Sequence, residues 1–195
     1  MSLYTRNTSF VLGFHGCDRA LAEDVLAGNS DLYASENDYD WLGHGIYFWE
    51  NDLHRARSWA VERMAFPDSK IKDPYAIGAI IDMGHCLNFM QQDHISLLGE
   101  AFMIAKQKYG DDLPENQVGP DKLLRRRDCI VVQYIHALQE ASEFPEFDSV
   151  KGLFQEGVPV YPGAGFLQKT HVQICIRNRS CIKGYFRPLE EFPES

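Results

Sequence analysis

Short apolar runs separated by glycine and polar turns recur along the chain, and they predict β-strands. The runs cover residues 10–17, 45–50, 75–83, 150–154, 172–176 and 181–186. The segment from Tyr75 to Met83 is almost continuously apolar, which is typical of a buried strand. Because strands occur at both ends of the chain with helical patterns between them, the sequence predicts an α+β domain.

Four further segments place apolar residues at helical spacing. They cover residues 18–27, 52–64, 94–109 and 122–141. Asp18 is the predicted N-cap of the first helix, since its carboxylate can accept the free amide hydrogens of the first turn. Asn51 or Asp52 has the same role before the second helix. Residues 29–44 are polar and rich in turn formers, so we expect a surface loop there.

The composition fits a single domain that spans residues 1–195. Apolar residues make up 45% of the chain, which supplies a core and excludes wholesale disorder. Asp and Glu number 28 against 19 Lys and Arg, a net charge of -9. Because this charge repels a phosphate backbone, we do not expect the protein to coat nucleic acid. The net charge does not exclude a local basic groove.

The cellular compartment is predicted from what the chain contains and lacks. No apolar run approaches the roughly 20 residues that span a bilayer, and the first ten residues lack the apolar segment of a signal peptide. The cysteines number 5 and are scattered, which is typical of buried free thiols in a reducing compartment. We therefore expect a cytoplasmic protein without a membrane partner.

A histidine followed by a glycine ends the first predicted strand. His15 would point its imidazole into a cleft at the strand end, and Gly16 lets a ligand approach the backbone because it lacks a Cβ. The peptide groups of Gly16 match a planar carboxamide, which offers one donor and one acceptor. The alternative is a core histidine beside a turn glycine.

A second glycine-rich segment, Gly43-His44-Gly45-Ile46-Tyr47-Phe48, leads into the second predicted strand. Its two glycines allow a sharp turn and a close backbone approach. Tyr47 lies on the strand face opposite Ile46 and Phe48. An aromatic ring in this place can stack on a flat heterocycle, although a tyrosine in a strand is also ordinary core or surface material.

Together, the two segments are similar to the ADP-ribosyltransferase superfamily, most of all to its poly(ADP-ribose) polymerase-like, diphtheria-toxin-like branch. The resemblance covers residues 9–60 and continues loosely through the terminal strands, whereas residues 90–150 do not align. It implies two small packed sheets, antiparallel or mixed, with flanking helices. It also implies NAD as a co-substrate that is consumed. His15 would bond a ribose hydroxyl, Gly16 would pair with the nicotinamide carboxamide, and Tyr47 would stack on the nicotinamide ring.

Members of this family complete the nicotinamide pocket with a serine and a second aromatic residue on the following helix. Trp59 is the candidate aromatic residue here, with a buried helix anchor as its alternative role. Ser58 or Arg55 would then reach the carboxamide.

The third element of the family is a glutamate that opens a late strand and steadies the oxocarbenium ion. The matching segment, residues 169–178, contains no glutamate, and its polar candidates are Thr170, His171 and Gln173. His171 and Gln173 share a strand face. In the family, replacement of this glutamate accompanies transfer of single ADP-ribose units or loss of activity.

Glu156 is a candidate substitute for the missing glutamate. It follows a predicted strand and reaches the cleft if that strand neighbours the late one. A carboxylate beside developing positive charge stabilises the transition state. The alternative is a solvated turn residue.

Several other patterns are less specific. The basic run Arg125-Arg126-Arg127 is either a clamp for a pyrophosphate or a nucleic-acid acceptor, or a solvated helix face. Tyr39 and Trp41 either stack on adenine or on an acceptor base, or pin the loop that contains them. No histidines stand four residues apart and no Cys-x-x-Cys occurs, so we expect no metal site.

The predicted function is that of a single-domain NAD-dependent ADP-ribosyltransferase, which cleaves the nicotinamide–ribose bond and transfers ADP-ribose to an acceptor protein or nucleic acid. By analogy it would be a bacterial toxin or defence effector, with an antitoxin protein as a further partner. Two alternatives remain. One is an inactive module that binds NAD or ADP-ribose, and the other is an RNA 2′-phosphotransferase-like enzyme.

Overall fold

The computed structural model describes residues 10–119 and 121–189. Its strands are β1 Val11–Asp18, β2 Ile46–Glu50, β3 Pro74–Ile81, β4 Cys86–Asn88, β5 Ser149–Phe154, β6 His171–Ile176 and β7 Ile182–Phe186. Its α-helices are α1 Arg19–Leu26, α2 Leu53–Met64, α3 Gln92–Tyr109 and α4 Arg126–Glu140. The predicted α+β class is confirmed, and each predicted element is present with shifted ends. The sequence does not predict β4, because three residues are too few for a periodic pattern.

All five cysteines are buried and free, as predicted. No α-helix in the described ranges is both long enough and apolar enough to cross a membrane. The first nine residues, on which the prediction about a signal peptide depends, lie outside the described residues.

The strands form one sheet in the order β4-β5-β6-β2-β1-β3-β7. Only β4 and β5 run parallel, while the other neighbouring strands of this sheet are antiparallel. The prediction of two packed sheets is therefore wrong, because β1 pairs with β2 and joins the two halves. Their ladder contains only the pairs Gly13–Glu50 and Phe14–Trp49. Pairing stops beyond Phe14, and this interruption in the sheet positions the candidate site.

Aspartate caps begin the first two helices, as predicted. Oδ1 of Asp18 accepts a hydrogen bond from the amide of Ala20 at 2.9 Å, and Oδ2 accepts one from the amide of Lys72 at 2.7 Å. The bond from Lys72 is the main cause that lowers the pKa of Asp18. For α2, Asp52 and not Asn51 is the cap, since its Oδ1 accepts from the amide of Arg55 at 2.8 Å.

The helices lie on both faces of the sheet and leave part of one face open. Val25 of α1 packs in the same cluster as Phe48 on one face. On the other face Ala56 of α2 packs with Trp49, and α3 and α4 pack over β4, β5 and the end of β6. The middle of the sheet, formed by β2 and β6, remains accessible between α2 and α4.

Gly99 lies in the interior of α3, where glycine is a poor helix former. A Cβ built at this position has no heavy atom within 4 Å. We expect Gly99→Ala to raise the free energy of unfolding by about 1 kcal/mol, because alanine loses less backbone entropy in a helix. Thermal unfolding would then shift upward by about 2–4 °C. A lower midpoint would contradict this prediction.

His136 on α4 predicts a pH dependence of stability. Its side chain is buried, neither ring nitrogen has a partner among the described residues, and burial lowers its pKa to about 3. Between about pH 3 and pH 6.5, the ordinary pKa of histidine, the unfolded chain binds a proton at this position that the folded chain does not. The free energy of unfolding therefore falls as the pH falls.

We expect His136→Leu to reduce the slope of unfolding free energy against pH by about 1.4 kcal/mol per pH unit between about pH 6 and pH 4. Leucine leaves no unpartnered polar atom, so folding at pH 7 is retained. Urea denaturation at several pH values measures the slope, with His54→Leu as the matched control at an exposed position. Equal slopes in the wild type and His136→Leu would refute the assignment.

Candidate functional site

A cleft of about 720 Å³ lies over β2 and β6, between α2 and the loop of residues 33–41. This volume falls within the range of small-molecule sites. The predicted site residues that line it are His15, Tyr47, Trp59, Glu156, His171 and Gln173. Tertiary structure thus brings together residues from β1, β2, α2, β6 and the segment after β5.

Three predicted residues are not part of this lining, namely Gly16, Ser58 and Thr170. The face of α2 that borders the cleft carries Arg55 and Trp59, one helical turn apart. Of the two candidates for a carboxamide contact on α2, the structure therefore places Arg55 in the cleft. The hydroxyl of Thr170 is buried and has no hydrogen-bond partner among the described residues.

His15 and Tyr47 are joined where β1 and β2 stop pairing. Nδ1 of His15 donates a hydrogen bond to the carbonyl oxygen of Tyr47 at 2.8 Å, because a carbonyl can only accept. Burial lowers the pKa of His15, so the imidazole is neutral at pH 7. Its Nε2 is then an acceptor, which suits a hydroxyl group of a ligand in the cleft.

The hydroxyl of Tyr47 holds the chain that precedes β2. It donates to the carbonyl oxygen of Gly43 at 2.8 Å and accepts from the amide of Leu42 at 3.0 Å. Burial raises the pKa of Tyr47 well above its usual value. The hydroxyl therefore stays protonated, and these two main-chain bonds fix the orientation of the ring at the cleft wall.

Two glycines that the sequence assigns to a ligand are required by packing. A Cβ at Gly16 would lie 2.4 Å from the carbonyl oxygen of Ala56 on α2, and one at Gly45 would lie 2.6 Å from that of Ile176 on β6. The absent Cβ of Gly16 therefore faces a helix and does not serve the approach of a ligand. This corrects the reason inferred from sequence.

The peptide groups of Gly16 face a different direction from its missing side chain. The amide of Asn51 donates to the carbonyl oxygen of Leu12 at 2.9 Å, which shows that the peptide groups of Leu12 face β2. Those of Phe14 and Gly16 face the same way, because strand peptides alternate. Since the ladder stops at Phe14, the peptide groups of Gly16 lie beyond its end, and the predicted carboxamide contact stays a prediction.

Four alternating charges close one end of the cleft. Nη2 of Arg55 lies 2.8 Å from Oε2 of Glu156 and 3.6 Å from Oε2 of Glu62. Nζ of Lys169 lies 2.8 Å from Oε1 of Glu62 and 3.6 Å from Oε1 of Glu156. The sequence analysis expects Glu156 to reach the cleft if the strand before it neighbours the late strand. This condition is met, because β5 pairs with β6. Its side chain is 13% exposed and bound to Arg55, so it is not a solvated turn residue.

His171 and Gln173 lie on the same face of β6, as predicted. Nδ1 of His171 donates to the carbonyl oxygen of Lys169 at 2.6 Å. Its Nε2 is buried without a partner among the described residues, and burial lowers the pKa of the ring. Oε1 of Gln173 accepts from Nε1 of Trp41 at 2.6 Å. Trp41 therefore pins its loop, and it also lies 5.0 Å from the ring of Phe154.

Aromatic rings form much of the cleft wall. The rings of Trp49 and Trp59 lie 5.5 Å apart, and the ring of Trp49 lies 6.0 Å from that of His171. Sequence reasoning missed Trp49. Residues two apart in a strand lie on the same face, so the position of Tyr47 in β2 could have identified Trp49 as a second cleft residue. Tyr39 lies at the rim and is 40% exposed.

Asp40 is a cleft residue that the sequence analysis did not single out. Asp40 is 8% exposed and lines the cleft. Its Oδ2 accepts from the amide of Asn37 at 2.8 Å, and burial raises its pKa. The adjacent Tyr39 and Trp41 are apolar, but they do not by themselves indicate that the carboxylate between them is buried.

The basic run at the start of α4 does not line the cleft. Arg126 pairs with Asp38 at 2.8 Å, and Arg127 donates to the carbonyl oxygen of Pro114 at 2.8 Å. Arg126 and Arg127 therefore attach neighbouring loops to α4, and the clamp for a pyrophosphate or a nucleic-acid acceptor stays a prediction. In the described part of the chain, no three His, Cys, Asp or Glu side chains group as metal ligands.

Comparison with known proteins gives one distant relative. The chain is 26% identical over 202 residues to an uncharacterized protein of Methanocaldococcus jannaschii, an alignment that covers 94% of this chain and 87% of that protein. No protein-family model matches the sequence, and no solved structure matches the fold.

Proposed function

We propose that the cleft binds NAD and that the protein cleaves its nicotinamide–ribose bond, transferring ADP-ribose to an acceptor. The observation that carries the proposal is the bond from Nδ1 of His15 to the carbonyl oxygen of Tyr47 at 2.8 Å. Both residues also line the cleft, so an imidazole acceptor and an aromatic ring border the same cavity, which supports the proposal. These are the two groups that the resemblance assigns to the ribose and to the nicotinamide.

Each proposed step uses a side chain of the cleft. Nε2 of His15 accepts a ribose hydroxyl, the ring of Tyr47 stacks on nicotinamide, and the carboxylate of Glu156 faces the positive charge that develops as nicotinamide leaves. The aromatic wall around Trp49 excludes water, which favours transfer over hydrolysis. The acceptor is a macromolecule in this proposal, either protein or nucleic acid.

A second candidate function is a module that binds NAD or ADP-ribose without turnover. The charge pairing of Glu156 favours this binding module, because its carboxylate is held by Arg55 at 2.8 Å. The negative charge of Glu156 then stabilises an oxocarbenium ion less. The RNA 2′-phosphotransferase alternative is less favoured. Of the described residues, the Arg and Lys side chains that line the cleft are Arg55 and Arg63, and both are paired with carboxylates.

Free nicotinamide released from NAD by the purified protein tests the proposal. The enzyme function predicts release, whereas the binding module predicts no release but a higher unfolding temperature with NAD. If the protein neither releases nicotinamide nor is stabilised by NAD, both of these functions are refuted. Release of phosphate from a 2′-phosphorylated RNA, measured in parallel, would support the third alternative instead.

A further inference from the structure

Buried polar atoms at the charged end of the cleft lack hydrogen-bond partners among the described residues. They are Nε1 of Trp49, Nε and Nη1 of Arg55, and Nε2 of His171. All three side chains line the cleft, and the three residues are only 4%, 7% and 5% exposed. We call these three side chains the polar subsite.

The members of the polar subsite are neighbours. Cζ of Arg55 lies 5.9 Å from the centre of the Trp49 ring, and the centre of the His171 ring lies 6.0 Å from it. Trp49 and His171 come from the paired strands β2 and β6, whereas Arg55 lies in the first turn of α2. Because a buried donor or acceptor without a partner is costly, four such atoms in one place indicate that a bound group supplies their partners.

The chemistry of these atoms determines what the bound group must offer. Nε1 of Trp49 and the nitrogens of Arg55 can only donate. Nδ1 of His171 donates to the carbonyl oxygen of Lys169 at 2.6 Å, and burial lowers the pKa of the ring, so Nε2 is an acceptor at pH 7. The polar subsite therefore presents three donor positions and one acceptor.

The charges around the polar subsite balance, which favours a neutral group. Arg55 lies 2.8 Å from Glu156, and Lys169 lies 2.8 Å from Glu62. An anion in this place would lie beside two carboxylates, and a cation would lie beside Arg55 and Lys169. A primary carboxamide is neutral and carries both an acceptor oxygen and N–H donors, so it satisfies both sets of atoms.

We propose that the polar subsite binds the carboxamide of nicotinamide, an inference that rests on the proposed function of the cleft. The carbonyl oxygen accepts from Trp49 and Arg55, and the NH2 group donates to Nε2 of His171. The resemblance assigns the carboxamide to Gly16 instead, but Gly16 does not line the cleft. Tyr47 precedes Trp49 by two residues on the same face of β2, so a nicotinamide ring stacked on Tyr47 lies beside the polar subsite.

Comparison of NAD with its 3-acetylpyridine analogue tests the role of His171. The analogue keeps the carbonyl oxygen but has a methyl group in place of NH2, so it cannot donate to Nε2. We expect the ratio of kcat/KM for NAD to that for the analogue to fall about tenfold in His171→Phe, because only NAD loses a hydrogen bond. Comparing this ratio between variants cancels the intrinsic reactivity of the two pyridines. If the protein binds NAD without turnover, the ratio of Kd values is measured instead.

Three further variants separate the two halves of the carboxamide. His171→Gln should retain part of the ratio, because Oε1 of glutamine can accept in place of Nε2. Arg55→Lys keeps a positive charge beside Glu156 but loses Nε and Nη1. It should lower kcat/KM about tenfold for both dinucleotides and leave the ratio unchanged, since both carry the carbonyl oxygen. His54→Phe, at an exposed position of α2, is the matched control and should change neither value.

The nicotinic acid analogue of NAD provides a test that needs no variant. Its carboxylate cannot donate to His171 and would lie beside Glu156, so we expect its Kd, measured by competition with NAD, to be about a hundredfold higher. Equal or tighter binding of this acid would overturn the inference. So would an unchanged ratio in a folded His171→Phe protein, and in both cases the proposed function would stand. A protein that neither cleaves nor binds NAD would overturn the proposed function and this inference with it.

Discussion

Replacing His15 with alanine is expected to reduce nicotinamide release from NAD by about two orders of magnitude. The substitution removes the Nε2 acceptor for the ribose and the bond that ties the imidazole to the carbonyl oxygen of Tyr47 at 2.8 Å. Loss of one preorganised hydrogen-bonding group at a reacting centre typically has an effect of this size. Initial rates of nicotinamide formation at saturating NAD measure it.

Two further variants separate a role in catalysis from a role in folding. His54→Ala removes an exposed imidazole from α2 and should leave the rate unchanged. Tyr47→Phe keeps the ring but loses the bonds to Gly43 and Leu42, so it should retain more activity than Tyr47→Ala. A His15→Ala protein that is folded and fully active would exclude the proposed role of His15.

The second large effect is expected at the charge cluster beside the cleft. Arg55→Met should lower the free energy of unfolding by about 3 kcal/mol, because removal of one partner leaves the other charge buried without compensation. The side chains of Arg55 and Glu156 are only 9% and 13% exposed. Lys169, at 3.6 Å from Glu156, compensates part of the loss, so we expect a value at the lower end of the range for buried pairs. Urea denaturation at pH 7 measures it.

A double substitution identifies the cause of that loss. Arg55→Met combined with Glu156→Gln removes both charges and should regain much of the stability lost by Arg55→Met alone. The exposed pair Arg187–Glu23, with a contact of 2.6 Å, is the matched control, and Arg187→Met should have a much smaller effect. If the double variant is no more stable than Arg55→Met, the unpaired charge of Glu156 is not the cause.

Strand pairing and side-chain partners were the parts of the fold that sequence reasoning predicted least well. The apolar runs identify each long strand, but they do not determine which strand edges meet, and β1 and β2 join the halves through only two residue pairs. A run such as Arg125-Arg126-Arg127 indicates positive charge, but it does not show which groups pair with these side chains. Those partners, Asp38 and the carbonyl oxygen of Pro114, come from loops far away in the sequence.

The sequence by itself determined the α+β class, the approximate positions of the four helices and of six strands, the cap at Asp18 and the buried thiols, because hydrophobic periodicity and capping are local properties of the chain. It also singled out His15 and Tyr47 as a candidate pair. Only the tertiary structure decided that the strands form one sheet, that the missing Cβ of Gly16 makes room for α2, and that Glu156 is paired with Arg55. These features depend on contacts between residues distant in the sequence, whose formation no local pattern encodes.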